Sequence, residues 1–422
     1  MAIGDLLHQT PVTTPDPYTG CPVTRLTPPD HTSHHMYFYN RMVTSDSSRL
    51  LYCAEINGRR NLYLMELATG DAVQLTEGDA LDDYGAMISA DDKSVYYQQD
   101  RKVWKLDLAT LQRTCLYAAP DGWDCGNWGM SDDNRYLVMT ETRRDTLPDL
   151  TGKKGWEFFP LTCAAKPLCH IVYLDTQTGE HHIVVEDRCW FGHAQLRPGD
   201  PDTILFCHEG PYDMIDARLW LIQSDGSRYR CARPQPKDVI ITHEFWMPTG
   251  DRLAYVYRKA DDGSTETIRM MRPETLEEEL FMPCLPYAHF ICDRQRRWFV
   301  GDCQGQETPI HLQTGEGRGQ EVRNDFIYLV DIARKKEIPL CYHGTSWTTI
   351  HGTPQDAHPH PCFTPDGSGV VFTSDREGKP CVYLAKPRAL RRKENDNHGM
   401  AQTEEYLHLF PRRTPQGPDN EL

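Results

Sequence analysis

The sequence lacks most of the features that would assign it to a class at sight. No stretch approaches the ~20 consecutive apolar residues of a membrane helix, so a helical span is excluded. The 15 cysteines include no CxxC pair, which argues against a zinc ribbon. Their odd number and scatter also argue against a disulfide scaffold, and reduced, mostly buried thiols are expected. Basic residues are scarce: 45 Lys and Arg stand against 61 Asp and Glu, for a formal net charge of −16. A phosphate backbone needs clustered cations, so nucleic acid is not an expected partner. The first residues carry neither a basic segment nor an apolar one, and a cytoplasmic location is expected. There is no GxSxG elbow and no GxGxxG or GxxxxGK[ST] phosphate loop. The GH…WD signature of protein-binding arrays is also missing, and no obligate protein partner is expected.

What the sequence has is self-similarity. A turn around an Asp followed by an apolar strand recurs seven times. It starts at Asp46 before LLYCAE, Asp91 before VYYQQ, Asp132 before YLVMTE and Asp200 before TILFCHE. It returns at Asp251 before LAYVYR, Asp293 before RWFVGD and Asp366 before VVFTSD. A strand, a short turn and another strand follow each copy, except the seventh, which stops after VYLAKP (382–387). From Asp46 to Asp366 is 320 residues over six intervals, about 53 per repeat, with the excess at 142–169 and 302–326. β-Branched and aromatic strands with a turn every ten or so residues predict an all-β, seven-bladed β-propeller over 1–387. The N-terminal VTRLT (23–27) is expected to supply the missing strand and close the last blade. Residues 388–422, polar and Pro-rich, read as a charged C-terminal extension with a short helix near 400–410.

In a propeller the strand before each Asp turn lines the central channel, so its side chains converge. Those strands carry His34 and His35, His193, His243, His289, and His358 with His360. In an extended segment, residues two apart face the same side, and Pro359 and Pro361 favour extension, so His358 and His360 are expected to project together. Imidazoles bind first-row divalent metals and an amide oxygen suits harder ions such as Mn²⁺, which makes Gln355 a further ligand and His289, from the adjacent blade, a fourth. A second cluster, CHEGPYDMIDARLW (207–220), holds His208 and Arg218. Arg218 reads either as paired with Asp213 or Asp216 or as presented to an anionic ligand. His243 titrates near neutrality and is a candidate general base.

The runs CHEGPYDMIDARLW (207–220), THEFW (242–246) and QDAHPHPCFTPDG (355–367), with VTRLTPPD (23–30) and YFY (37–39), resemble the oligogalacturonate lyases over about residues 15–387. These are cytoplasmic pectin-degrading enzymes with a seven-bladed propeller. The resemblance implies a Mn²⁺ site of His289, Gln355, His358 and His360, with His243 as base and Arg218 as the charge-neutralising group. It implies β-elimination on a small acidic oligosaccharide. The net charge of −16 opposes long-range capture of such a sugar, so neighbouring inner-strand and loop histidines, His193, His208 and His34, are expected to help bind it locally. Residues 142–169 and 302–326 depart from the family pattern and are expected to reshape the mouth of the site. A noncatalytic propeller that binds glycan or peptide, and a lyase for another uronate, are the alternatives that the sequence leaves open.

Overall fold

The chain's central strands are apolar on both sides rather than strictly alternating. In Arg49–Ile56, residues Leu50, Leu51, Tyr52, Cys53 and Ala54 have no exposed surface. The reason is stacking: each sheet is covered on both faces by its neighbours, so a middle strand has no face turned to water. One core cluster shows this directly, joining Leu51 and Tyr63 of the first blade to Tyr97 of the second and Val382 of the last.

In the computed structural model, which describes residues 2–259, 266–304, 310–313, 319–348 and 357–387, seven small antiparallel sheets form a seven-bladed β-propeller. The third blade is typical, with Trp123–Met130, Tyr136–Arg143, Leu168–Asp175 and His181–Arg188 paired in order. The first strands of successive blades touch one another, Trp123–Met130 against Phe191–Arg197, then Val239–Trp246, then Tyr287–Cys292, so they ring the axis.

The recurring Asp is a turn builder. Asp46 accepts a hydrogen bond from Thr44 Oγ1 at 2.7 Å and from the Ser48 N–H at 3.0 Å. Asp133 does the same with Ser131 and Arg135, and Asp366 with Thr364 and Ser368. A short carboxylate that binds its own backbone two residues on explains the conserved spacing without any chemistry.

The N-terminal strand Pro22–Arg25 joins the last blade, with Val23 opposite Ala385, Thr24 opposite Leu384 and Arg25 opposite Tyr383. Val12–Pro15 adds outside it, and Leu6–Leu7 adds to the first blade beside Ala72–Gln74. The excess at 142–169 is an insertion between two strands of the third blade, with turns at Arg144–Thr146 and Gly155–Glu157 and a helix at Phe158–Ala165. Lys166, in the left-handed region, ends that helix. The excess at 302–326 holds a separate hairpin, Ile310–Gln313 with Gly319–Val322. No helix among the described residues is long and apolar enough to cross a membrane. Ten of the 15 cysteines are buried. The expected extension over 388–422 lies outside the described residues, as does Gln355.

Candidate active site

The innermost strands do not run straight past the axis. Their pairing breaks at equivalent places: between Cys125 and Trp128, Gly192 and Gln195, Thr242 and Phe245, and Tyr287 and His289. Such bulges re-aim a side chain. His193 and His243 sit inside two of them with φ of 51° and 57°, in the left-handed region that costs a non-glycine residue about 1–3 kcal/mol. The re-aimed residues Asn127, His193, His243 and His289 line one cavity of about 670 Å³ at the mouth of the channel.

His289, His358 and His360 meet there, with one nitrogen of each ring lying within 4.8 Å of the others. The rings of His289 and His360 are 4.1 Å apart at their centres, and His358 is 5.5 and 5.6 Å from them. His358 and His360 converge for a reason other than the one the spacing suggests. The segment is not a strand at this point, and His360 has a φ of 45°. A bent backbone, tied at the Pro359 carbonyl by the Thr373 N–H, turns the two rings toward each other. His289 is fixed from behind: Asp302, fully buried, accepts the His289 N–H at 2.6 Å and faces Nδ1 at 2.8 Å. That contact puts the ring proton on Nδ1 and presents Nε2 as a ligand. Burial, then the charges of His289 and His358, holds His360 well below the usual imidazole range, and its buried Nε2 has no hydrogen-bond partner. Three imidazoles whose ring nitrogens converge fit a first-row divalent metal.

His243 lies 5.0 Å from His289, ring centre to ring centre. Burial, followed by the charges of His289 and Arg218, lowers its pKa well below 6.5, so the ring is neutral and able to accept a proton. Arg218 does not pair with Asp213 or Asp216. Its Nε and Nη2 donate to Glu244 at 2.8 and 3.2 Å, and Nη1 donates to Glu209 at 3.2 Å. His193 bridges the same carboxylates, 3.1 Å from Glu209 and 3.4 Å from Glu244. Burial works against the Glu209 carboxylate, but Arg218 and His193 outweigh it and hold the group well below its ordinary range.

A family model described as oligogalacturonate lyase matches residues 1–389. The chain belongs to the oligogalacturonate lyase family. An oligogalacturonide lyase of Pectobacterium atrosepticum is 38% identical over 389 residues, 92% of this chain and 98% of the relative. An oligogalacturonate lyase of Dickeya dadantii is 38% identical over 391 residues with the same coverage. Among solved structures, an oligogalacturonate lyase in complex with manganese superposes with a TM-score of 0.84 at 37% identity, covering 93% of this chain and 100% of that one. An oligogalacturonate lyase of Vibrio parahaemolyticus superposes at 0.83 with 36% identity, covering 92% of this chain and 100% of that chain.

Within this family member, the cavity gathers His193, Arg218, His243, His289 and His358 on its wall, with His360 buried against His289. Two expected residues lie off that wall. His208 is packed between Trp220 at 4.4 Å and Phe191 at 5.5 Å, because its strand position faces the interior of the fourth blade. His34 is stacked beneath Tyr84 at 4.0 Å and faces Asp83 at 3.4 Å, so Tyr84, and not His34, reaches the cavity. Sequence reading missed Asp302, Glu209 and Glu244 as partners, since nothing local links an acid to a base on another strand. It also gave Tyr37, Phe38 and Tyr39 no role. They run through the channel behind the histidines, with Tyr37 5.0 Å from His360 and 5.8 Å from His193.

Proposed function

We propose that the chain is a metal-dependent lyase that cleaves short, digalacturonate-like uronic acid oligomers by β-elimination. The observation that carries this reading is the meeting of three imidazole ligands beside a buried, neutral His243 in one cavity. His289, His358 and His360 would hold the metal, with Gln355 as a fourth ligand by family resemblance. The manganese of the similar solved structure supports Mn²⁺. When bound, that ion supplies Lewis-acid polarisation of the uronate carboxylate and so acidifies the proton on C5.

His243 takes the C5 proton on its cavity-facing ring nitrogen. The electrons of the C5–H bond form the C4–C5 double bond, and the glycosidic oxygen on C4 leaves with its electron pair. No water is consumed, and the product is an unsaturated uronate. Arg218 contributes directed donors rather than net charge. Two carboxylates offset its single positive charge, and three of its five N–H groups are taken by them. The remaining two are available to the carboxylate of the substrate, and Glu244 fixes their direction through its two-point contact. His193, between the same acids, keeps them in register with the guanidinium. The scattered cysteines, odd in number and without a CxxC pair, suit a reducing compartment, and we assign the cytoplasm.

Purified protein given digalacturonate and Mn²⁺ is expected to develop the ultraviolet absorbance of an unsaturated product, and chelator to abolish it. His243→Ala is expected to bind Mn²⁺ as before and to lose at least roughly a hundredfold in kcat, the usual contribution of a positioned base. Near-normal turnover in that variant would remove His243 from the mechanism.

A further inference from the structure

The inserted segment between two strands of the third blade has a composition its packing does not explain. The helix Phe158–Ala165 buries Thr162 alone, while Trp156 before it is 46% exposed. One exposed aromatic is ordinary, but a contiguous aromatic group at a cavity marks a ligand surface. Trp156, Phe158 and Phe159 all face the cavity, together with Trp190 from the fourth blade. The four rings form one wall: Trp156 lies 5.6 Å from Phe158, Phe159 lies 6.1 Å from Trp156, and Trp190 lies 5.4 Å from Phe159. That wall reaches the metal-ligating set, because Trp156 stacks on His358 at 6.0 Å with 26° between the rings.

We propose that Trp156, backed by Phe159 and Trp190, is a stacking platform for the pyranose ring next to the one undergoing elimination. The proposal rests on the lyase reading above. A pyranose presents a face of C–H bonds, and these pack on the electron-rich face of an indole as one ring edge packs on another. The contact requires no charge. That matters here, because the chain carries a net charge of −16 and Asp82, Glu209 and Glu266 also border the cavity. Affinity for a second acidic sugar therefore gains little from the general field of the protein and more from an apolar surface that excludes water. A uronate held at the histidines places its glycosidic neighbour within one sugar length of His358, which is where the exposed indole stands. The insertion thus sets how firmly the rest of the oligomer is held, while the residues of the blades act on the bond.

The test compares Trp156→Ala and Trp156→Phe with the unmodified chain, using digalacturonate and trigalacturonate in steady-state assays and Mn²⁺ titration of each protein. Trp156→Ala is expected to raise KM roughly tenfold, the size of one lost ring contact, with kcat within about twofold and Mn²⁺ affinity unchanged. Trp156→Phe is expected to recover most of the loss. An unchanged KM in Trp156→Ala overturns the platform. A KM rise that comes with weakened Mn²⁺ binding also overturns it, and assigns Trp156 to the support of His358. Unmodified protein that releases no unsaturated product from either sugar overturns the lyase reading itself.

Discussion

Individual side chains at this site owe their chemistry to partners that the local sequence does not show. Asp302 is the clearest case: thirteen residues from His289, it fixes both the tautomer and the direction of that ring. Asp302→Asn is therefore expected to weaken Mn²⁺ binding by about 10–100-fold, read by direct metal titration without substrate. His208 shows the converse, an imidazole singled out for its neighbours in sequence that the fold packs between Trp220 and Phe191. Burial lowers its pKa to about 4, against the opposing charges of Asp187 and Asp216. The folded chain thus favours the neutral ring. The stability this gives is complete above the ordinary value of 6.5 and is lost as pH falls from 6.5 toward 4. His208→Gln is expected to flatten the unfolding free energy across that window and to leave KM for digalacturonate unchanged. A raised KM would return His208 to the substrate.

At the scale of the element, the inner strand does the positioning. A straight strand would place alternate side chains toward the two neighbouring blades, and the bulges at His193 and His243 redirect them to the axis. The same bulge that aims His243 places Glu244 to grip Arg218, so base and guanidinium are coupled through two adjacent residues. Close approach of inner strands is what holds these bulges in register. At Gly129 a Cβ would stand 2.8 Å from the carbonyl oxygen of Ala194 in the next blade. Gly129→Ala is expected to cost about 1–3 kcal/mol of stability, measured by denaturant unfolding, with the loss arising from blade spacing and not from turn geometry. Stability equal to that of the unmodified chain would mean that the blades move apart freely.

For the whole molecule, ring closure and charge set the terms. Pro22–Arg25 pairs with Cys381–Ala385, so a strand from early in the chain covers the edge that the last blade would otherwise leave open there. The acidic surface repels an acidic substrate at long range. Exposed charges are screened over about 10 Å at 0.1 M salt. At saturating Mn²⁺, kcat/KM for digalacturonate is accordingly expected to rise as NaCl goes from about 10 to about 150 mM. A fall would show that cations at the cavity mouth outweigh the net charge of −16.

Composition and repetition alone determined the architecture, because seven turns around an Asp and seven apolar strands admit few other closed arrangements. They also gave the histidines, since equivalent positions in a ring point to a common axis. They did not give the convergence of His358 with His360 through a left-handed bend, the acids that hold His289 and Arg218, or the removal of His208 and His34 from the cavity. Those depend on which strand lies beside which and on backbone torsions at a few bulges. Such torsions are stabilised by contacts to other strands and to neighbouring blades and leave no local pattern in the chain.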